Sequence, residues 1–129
     1  MSQTAPADQA QVVTAVKTQT LSVVIPAYNE ARTIHKILDL VIAVPLGLNK
    51  EIIVVDDGSK DDTANAVRNW AQAHTGDPGV TVKVITKENG GKGTAVRRGI
   101  DESTGEFVII QDADLEYEPN DYPKLLEPM

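Results

Sequence analysis

The chain contains no cysteine. That excludes disulfides and any zinc or iron–sulfur site built on thiolates, and it suits a cytosolic protein. Aromatic residues are scarce, 4% of 129 with a single Trp and a single Phe, so the rings serve packing rather than a base-stacking platform. Basic residues are outnumbered, 12 Lys and Arg against 19 Asp and Glu, for a net charge of −7. No basic stripe is present to neutralise phosphates, which argues against a nucleic-acid binder. Long apolar runs are missing too. The longest, Leu40 to Leu48, follows Asp39, contains Pro45 and is too short to cross a bilayer. The opening MSQTAPADQAQ lacks the positive region and apolar core of a secretory signal. The expected location is the cytoplasm.

What the sequence does contain is enough apolar residue, 41%, for the core of one ordinary domain. Residues 1–19 are small and polar and read as a flexible N-terminal tail. Residues 20–129 read as the domain. Leu21-Ser22-Val23-Val24-Ile25 predicts a buried strand ended by Pro26. Asn29 is then placed to cap a helix whose apolar face is Ile34, Ile37, Leu38, Val41 and Ile42. Glu51 to Val55 predicts a second strand, apolar on both faces as in a parallel sheet covered by helices. Ser59, Asp61 or Asp62 caps a helix to about Ala73, with Ala66, Val67 and Trp70 facing the core. Thr81 to Thr86 alternates like an edge strand, Lys87 to Gly93 is a loop, and Thr94 to about Asp101 is helical. Glu106 to Gln111 is a fourth strand, and a helix is expected from Asn120 to about Glu127. The β-α-β-α-β-α-β-α order predicts an α/β fold, a parallel doubly wound sheet with helices on both faces.

In such sheets ligands bind outside the carboxyl ends of the strands, and the unusual residues sit there. Phe107 to Ile110 climbs into Asp112 and Asp114, separated by Ala113. Residues i and i+2 of an extended chain project to one side. Two like charges ~4 Å apart repel by ~1 kcal/mol in water and ~4 kcal/mol near a protein surface. A hard divalent cation removes that cost, and Mg²⁺ favours one or two carboxylates together with phosphate oxygens. A turn that merely caps backbone donors is the plain alternative. At Asp56-Asp57-Gly58-Ser59, adjacent carboxylates point opposite ways, so one can enter the cleft, towards a nucleobase or ribose, while the other braces the turn. Asn89-Gly90-Gly91-Lys92-Gly93 satisfies neither familiar phosphate-loop pattern. Its glycines still permit close backbone approach, and Lys92 can place a charge near a diphosphate. His35 and His74 have no second ligand nearby in sequence and read as ordinary helix residues.

VVIPAYNE (Val23 to Glu30), EIIVVDDGSKDDT (Glu51 to Thr63), KENGGKGTAVRRGI (Lys87 to Ile100) and GEFVIIQDADLEY (Gly105 to Tyr117) resemble family 2 glycosyltransferases of the GT-A fold. They are most similar to the polyprenyl- and dolichyl-phosphate sugar synthases. The resemblance runs from about Leu21 to Met129 and covers the N-terminal, nucleotide-binding part of such enzymes. It implies a Rossmann-like GT-A domain that binds a UDP- or GDP-sugar and passes the sugar, with inversion, to a polyprenyl phosphate at a membrane surface. Pro26, Tyr28 and Glu30 would frame the nucleotide, and Asp56 and Asp57 would contact base or ribose. Lys92 would lie near the diphosphate, and Asp112 and Asp114 would hold Mg²⁺ or Mn²⁺. Relatives continue past this point into the acceptor half, where many carry a Q-x-x-R-W motif that is not found here. Strand four would therefore lose sheet neighbours, and self-association as a homo-oligomer, or a partner, is the expectation. A non-catalytic nucleotide-binding or assembly module is the alternative. A sugar-phosphate nucleotidyltransferase is disfavoured, because Pro26-Ala27-Tyr28-Asn29 is not a glycine-rich loop.

Overall fold

The computed structural model describes residues 18–113. Asp114, the tail before Thr18 and the helix expected from Asn120 lie outside those residues. The described chain runs β1 (Thr20–Ala27), α1 (Ile34–Ala43), β2 (Asn49–Asp57), α2 (Thr63–Ala73), β3 (Val80–Lys87), α3 (Lys92–Glu102), β4 (Phe107–Ile110). All four strands are parallel, in the order β3-β2-β1-β4.

Two central strands carry most of the core, and their sequences show why. β1 and β2 are β-branched on both faces, and Val23, Val24, Ile25, Ile52, Ile53, Val54 and Val55 are completely buried. Each such side chain contributes roughly 1.5–3 kcal/mol when taken out of water. One face packs on α1 and α2 through Ile34, Ile37, Leu38, Val41, Val67 and Trp70. The other packs on α3, where Ile53 and Val55 meet Ala95. A Cβ at Gly99 would come 2.3 Å from Val24 Cγ1, so α3 can lie this close to β1 only with glycine there. As expected, β3 is an edge strand, its side chains only half-buried.

Pro26 does not end β1, which continues through Ala27. In a parallel strand, successive residues present their N–H and C=O to opposite sides. The Val24 carbonyl accepts from Gln111 N on the β4 side, and Pro26 faces that same side. The paired ladder with β4 has already ended at Val24 and Ile110, so the missing proline N–H removes no sheet hydrogen bond.

Helix α1 begins later than Asn29. That residue has φ +55°, the one non-glycine residue in the left-handed region among those described. Its amide donates to Ser59 Oγ at 2.8 Å, and its Oδ1 accepts from Lys60 N at 2.8 Å. Asn29 therefore binds the loop after β2 instead of capping a helix. The Glu30 carbonyl accepts from Thr33 N and Ile34 N in the turn before α1.

The strand order places the site. The chain steps outward from β1 to β2 to β3, then returns to lay β4 on the other side of β1. The sheet reverses between β1 and β4, and a crevice opens beyond the carboxyl ends of these strands.

Candidate nucleotide-diphosphate cleft

An open cavity of about 170 Å³ occupies that crevice. Pro26, Tyr28, Glu30, Asp57, Lys92 and Asp112 line it, with Ala27, Ala95 and Ala113 between them. The ends of β1 and β2, the loop after β1, the start of α3 and the residues after β4 all contribute. Asp56 is buried beneath the rim, where its Oδ1 accepts from Ser59 N at 3.0 Å and closes the turn after β2.

Asp57 draws the chain from Lys87 to Gly91 onto its carboxylate. Its Oδ1 accepts from Lys87 Nζ at 2.6 Å and from Gly90 N at 3.0 Å. Its Oδ2 accepts from Gly91 N at 2.9 Å, with Asn89 Nδ2 at 3.5 Å. Asn89 Nδ2 also donates to the Asp57 carbonyl at 2.9 Å. Burial pushes the Asp57 carboxyl up, but the Lys87 hydrogen bond, the Gly90 and Gly91 amides and the Lys87 charge outweigh it and hold it below the ordinary carboxylate value. One aspartate thus folds the glycine-rich loop against the end of β2. Gly58 makes room for that loop. It has φ +72°, and a Cβ there would lie 2.6 Å from Asn89 N.

The loops after β1 and β2 are cross-braced. Besides the two Asn29 bonds, Glu30 N donates to Thr63 Oγ1 at 2.9 Å, and Ala31 N donates to Asp61 Oδ2 at 3.2 Å. Asp61 Oδ1 in turn accepts from Thr63 N at 3.1 Å and from the Thr63 hydroxyl. The Thr63 hydrogen bond, set against some burial and aided by the Ala31 and Thr63 amides, holds the Asp61 carboxyl below its usual value. This brace fixes where Tyr28, half-exposed at the rim, and Glu30 stand.

Asp112 follows β4 and is nearly buried. Its Oδ1 is ion-paired with the ammonium of Lys92, the first residue of α3. The arrangement suits an anionic ligand with a cation at one end. Asp112, nearly buried, has the Lys92 ammonium against it, and Asp57 is neutralised by Lys87. Among the described residues, no group of three or more His, Asp or Glu side chains gathers to hold a metal unaided. The second acid of the Asp-Ala-Asp motif, Asp114, lies outside the described residues.

Sequence reasoning found the acids and Lys92 but gave no part to Lys87 or Thr63, and it read Asp61 only as a helix cap and Asn89 only as part of the glycine-rich loop. Lys87 Nζ also donates to Glu88 O and to Thr94 Oγ1. Its place as the last residue of an edge strand, directly before a glycine-rich loop, is the one signal that could have marked it. His74, read as an ordinary helix residue, stacks on Trp70 with ring centroids 4.1 Å apart and meets Asp77 through Nδ1.

Residues 22–129 match the family described as Glycosyl transferase family 2. The chain belongs to that family. As a family 2 glycosyltransferase it is 40% identical over 109 residues to a dolichol-phosphate mannosyltransferase of Pyrococcus furiosus, covering 83% of this chain and 29% of that protein. It is 39% identical over 112 residues to an undecaprenyl-phosphate 4-deoxy-4-formamido-L-arabinose transferase of Edwardsiella ictaluri, covering 84% and 33%. Its fold matches a mannosyltransferase from Pyrobaculum calidifontis solved in complex with GDP-Man and Mn²⁺. The TM-score is 0.71 at 31% identity, over 88% of this chain and 34% of that one. Glucosyl-3-phosphoglycerate synthase from Mycobacterium tuberculosis, in complex with Mn²⁺, UDP-glucose and phosphoglyceric acid, matches with TM-score 0.62 at 28% identity, over 81% and 37%. The four-stranded parallel sheet is that of GT-A glycosyltransferases, and this chain spans about a third of the length of its curated relatives. No helix among the described residues is long and apolar enough to cross a membrane.

Proposed function

We propose that this chain forms the donor-binding part of a metal-dependent, inverting glycosyltransferase that takes a UDP- or GDP-sugar and passes the sugar to a polyprenyl phosphate. The observation that carries this reading is the convergence of Tyr28, Glu30, Asp57, Lys92 and Asp112 on one crevice where the sheet reverses. Pro26, Tyr28 and Glu30 frame the nucleotide. Asp57, with Asp56 beneath it, forms the wall at the base or ribose, and Lys92 meets the diphosphate.

The residues present fit a divalent cation. Asp112 offers hard carboxylate oxygens at a spot that already attracts a positive charge, the Lys92 ammonium. Asp112 and Asp114 would hold Mg²⁺ or Mn²⁺ there. Such an ion, when bound, supplies Lewis-acid stabilisation of charge on the departing diphosphate. The chain's own part is to fix the donor so that the acceptor oxygen can attack the anomeric carbon as the bond to the diphosphate breaks. A phosphate acceptor is already ionised, so no strong general base is required of these residues. A lipid-borne acceptor places the working enzyme at the periphery of the cytoplasmic membrane. Mannosyl- and formamido-arabinosyl transferases to polyprenyl phosphates among the relatives support this acceptor class.

A thermal-shift panel of UDP and GDP with and without Mn²⁺ tests the reading. The expected outcome is a shift enlarged by Mn²⁺ in the wild-type chain and not enlarged in Asp114→Asn, whose unliganded melting point is unchanged. Identical responses from both proteins would show the metal assignment to be wrong.

A further inference from the structure

Among the described residues the cleft contains two lysine–aspartate pairs, and their lysines differ in exposure. Lys87 is anchored. Its Nζ donates to Asp57, to the Glu88 carbonyl and to the Thr94 hydroxyl, and its side chain is 17% exposed. Lys92 pairs with Asp112 from the first turn of α3, with its side chain 62% exposed against 9% for Asp112. An almost buried carboxylate needs a counter-charge, and Lys92 brings one on a flexible four-carbon stem whose ammonium acts as a point charge. Lys92 and Asp112 line the same cavity.

We propose that Lys92 is an exchangeable internal counter-ion. It neutralises Asp112 in the empty cleft and transfers to the diphosphate when the nucleotide arrives, which opens Asp112 to the metal. This inference rests on the donor-site reading above and adds to it an order of binding. Without nucleotide, a divalent cation must displace an ammonium already on the carboxylate, so the empty cleft resists metal. With nucleotide, the phosphate oxygens accept the ammonium, and the same carboxylate becomes available. Metal and nucleotide affinities are then coupled reciprocally, partly through a side chain that belongs to neither ligand. Asp57 has no such role, because Lys87 stays with it.

The sign of one effect separates this from a lysine that merely attracts phosphate. Removal of a phosphate-attracting lysine that keeps a Debye length clear of Asp112 weakens nucleotide binding and changes metal binding in the empty cleft little. Removal of an exchanging counter-ion weakens nucleotide binding but tightens metal binding in the empty cleft. The experiment titrates the 129-residue chain with Mn²⁺ and follows the electron paramagnetic resonance signal of free Mn²⁺, with and without GDP or UDP. Lys92→Met is expected to bind Mn²⁺ alone roughly fivefold more tightly than wild type, in the range of a partly exposed ion pair. The Mn²⁺-induced gain in nucleotide affinity is expected to shrink in that variant. Lys92→Arg, which keeps the charge, is expected to behave as wild type and guards against a change caused by altered folding. If Lys92→Met binds Mn²⁺ alone no more tightly than wild type, while wild type still binds nucleotide with Mn²⁺, the exchange is overturned and the donor site stands. If wild type binds neither ligand, both fall.

Discussion

Glu51 shows how much a single residue can require of its surroundings. It is 5% exposed, and it accepts from Ser22 Oγ at 2.6 Å, Thr104 N at 2.8 Å, Thr104 Oγ1 at 2.9 Å and Lys83 Nζ at 3.1 Å. Burial pushes its carboxyl up, but the Ser22, Thr104 and Lys83 hydrogen bonds outweigh that and bring it down to about 2. A carboxyl lowered on folding stabilises the protein above its unfolded value and loses that contribution as pH falls through the folded one. The group ties the α3–β4 connection to β1, β2 and β3 at the amino end of the sheet, away from the cleft. Stability to urea is therefore expected to be level from pH 7 to about 5 and to fall between about pH 4.5 and 2, by a few kcal/mol from this residue. Glu51→Gln should be less stable at neutral pH and flatter over the acid range. A variant with the wild-type acid slope would show that other carboxyls carry it. At this scale the sequence showed which residues are acidic and lie at strand ends, and Asp112 indeed reaches the cleft. It did not show that Asp57 would organise residues 87–91, because those bonds span 30 to 34 positions.

Elements were more legible than their ends. Continuous β-branched runs revealed β1 and β2, and apolar spacing revealed the core faces of α1 and α2, including Val67 and Trp70. The boundaries failed where a local rule met a tertiary contact. Proline is compatible with β1 because the neighbouring strand has ended. Asn29 forgoes the cap because the loop after β2 offers better partners. Lys92 opens α3 rather than closing a loop, since Gly91, at φ +100°, provides the turn into it. No sequence pattern indicated how closely α3 packs on β1. Gly99→Ala brings a methyl group to within 2.3 Å of Val24, and relief requires α3 to move away from the sheet. The expected cost is about 1–3 kcal/mol, measured as a lowered midpoint of thermal unfolding. Because α3 also carries Lys92 and Ala95, nucleotide affinity should fall in parallel. An unchanged midpoint would mean that the helix–sheet gap is wider than described.

At the scale of the molecule, the order β3-β2-β1-β4 explains why residues at four places along the chain, 86 positions apart between Pro26 and Asp112, face one crevice. The βα alternation made this arrangement foreseeable, since parallel strands with right-handed crossovers leave few other orders. The account as a whole requires that crevice to hold a cation between acid side chains and a nucleotide's phosphates. Crystals of the chain grown with GDP or UDP and Mn²⁺, with diffraction recorded at the manganese absorption edge, measure this most directly. The predicted result is an anomalous peak between the Asp112 carboxylate and the diphosphate, with the Lys92 ammonium moved onto a phosphate oxygen. A nucleotide bound with no such peak, and with Lys92 still on Asp112, would contradict it.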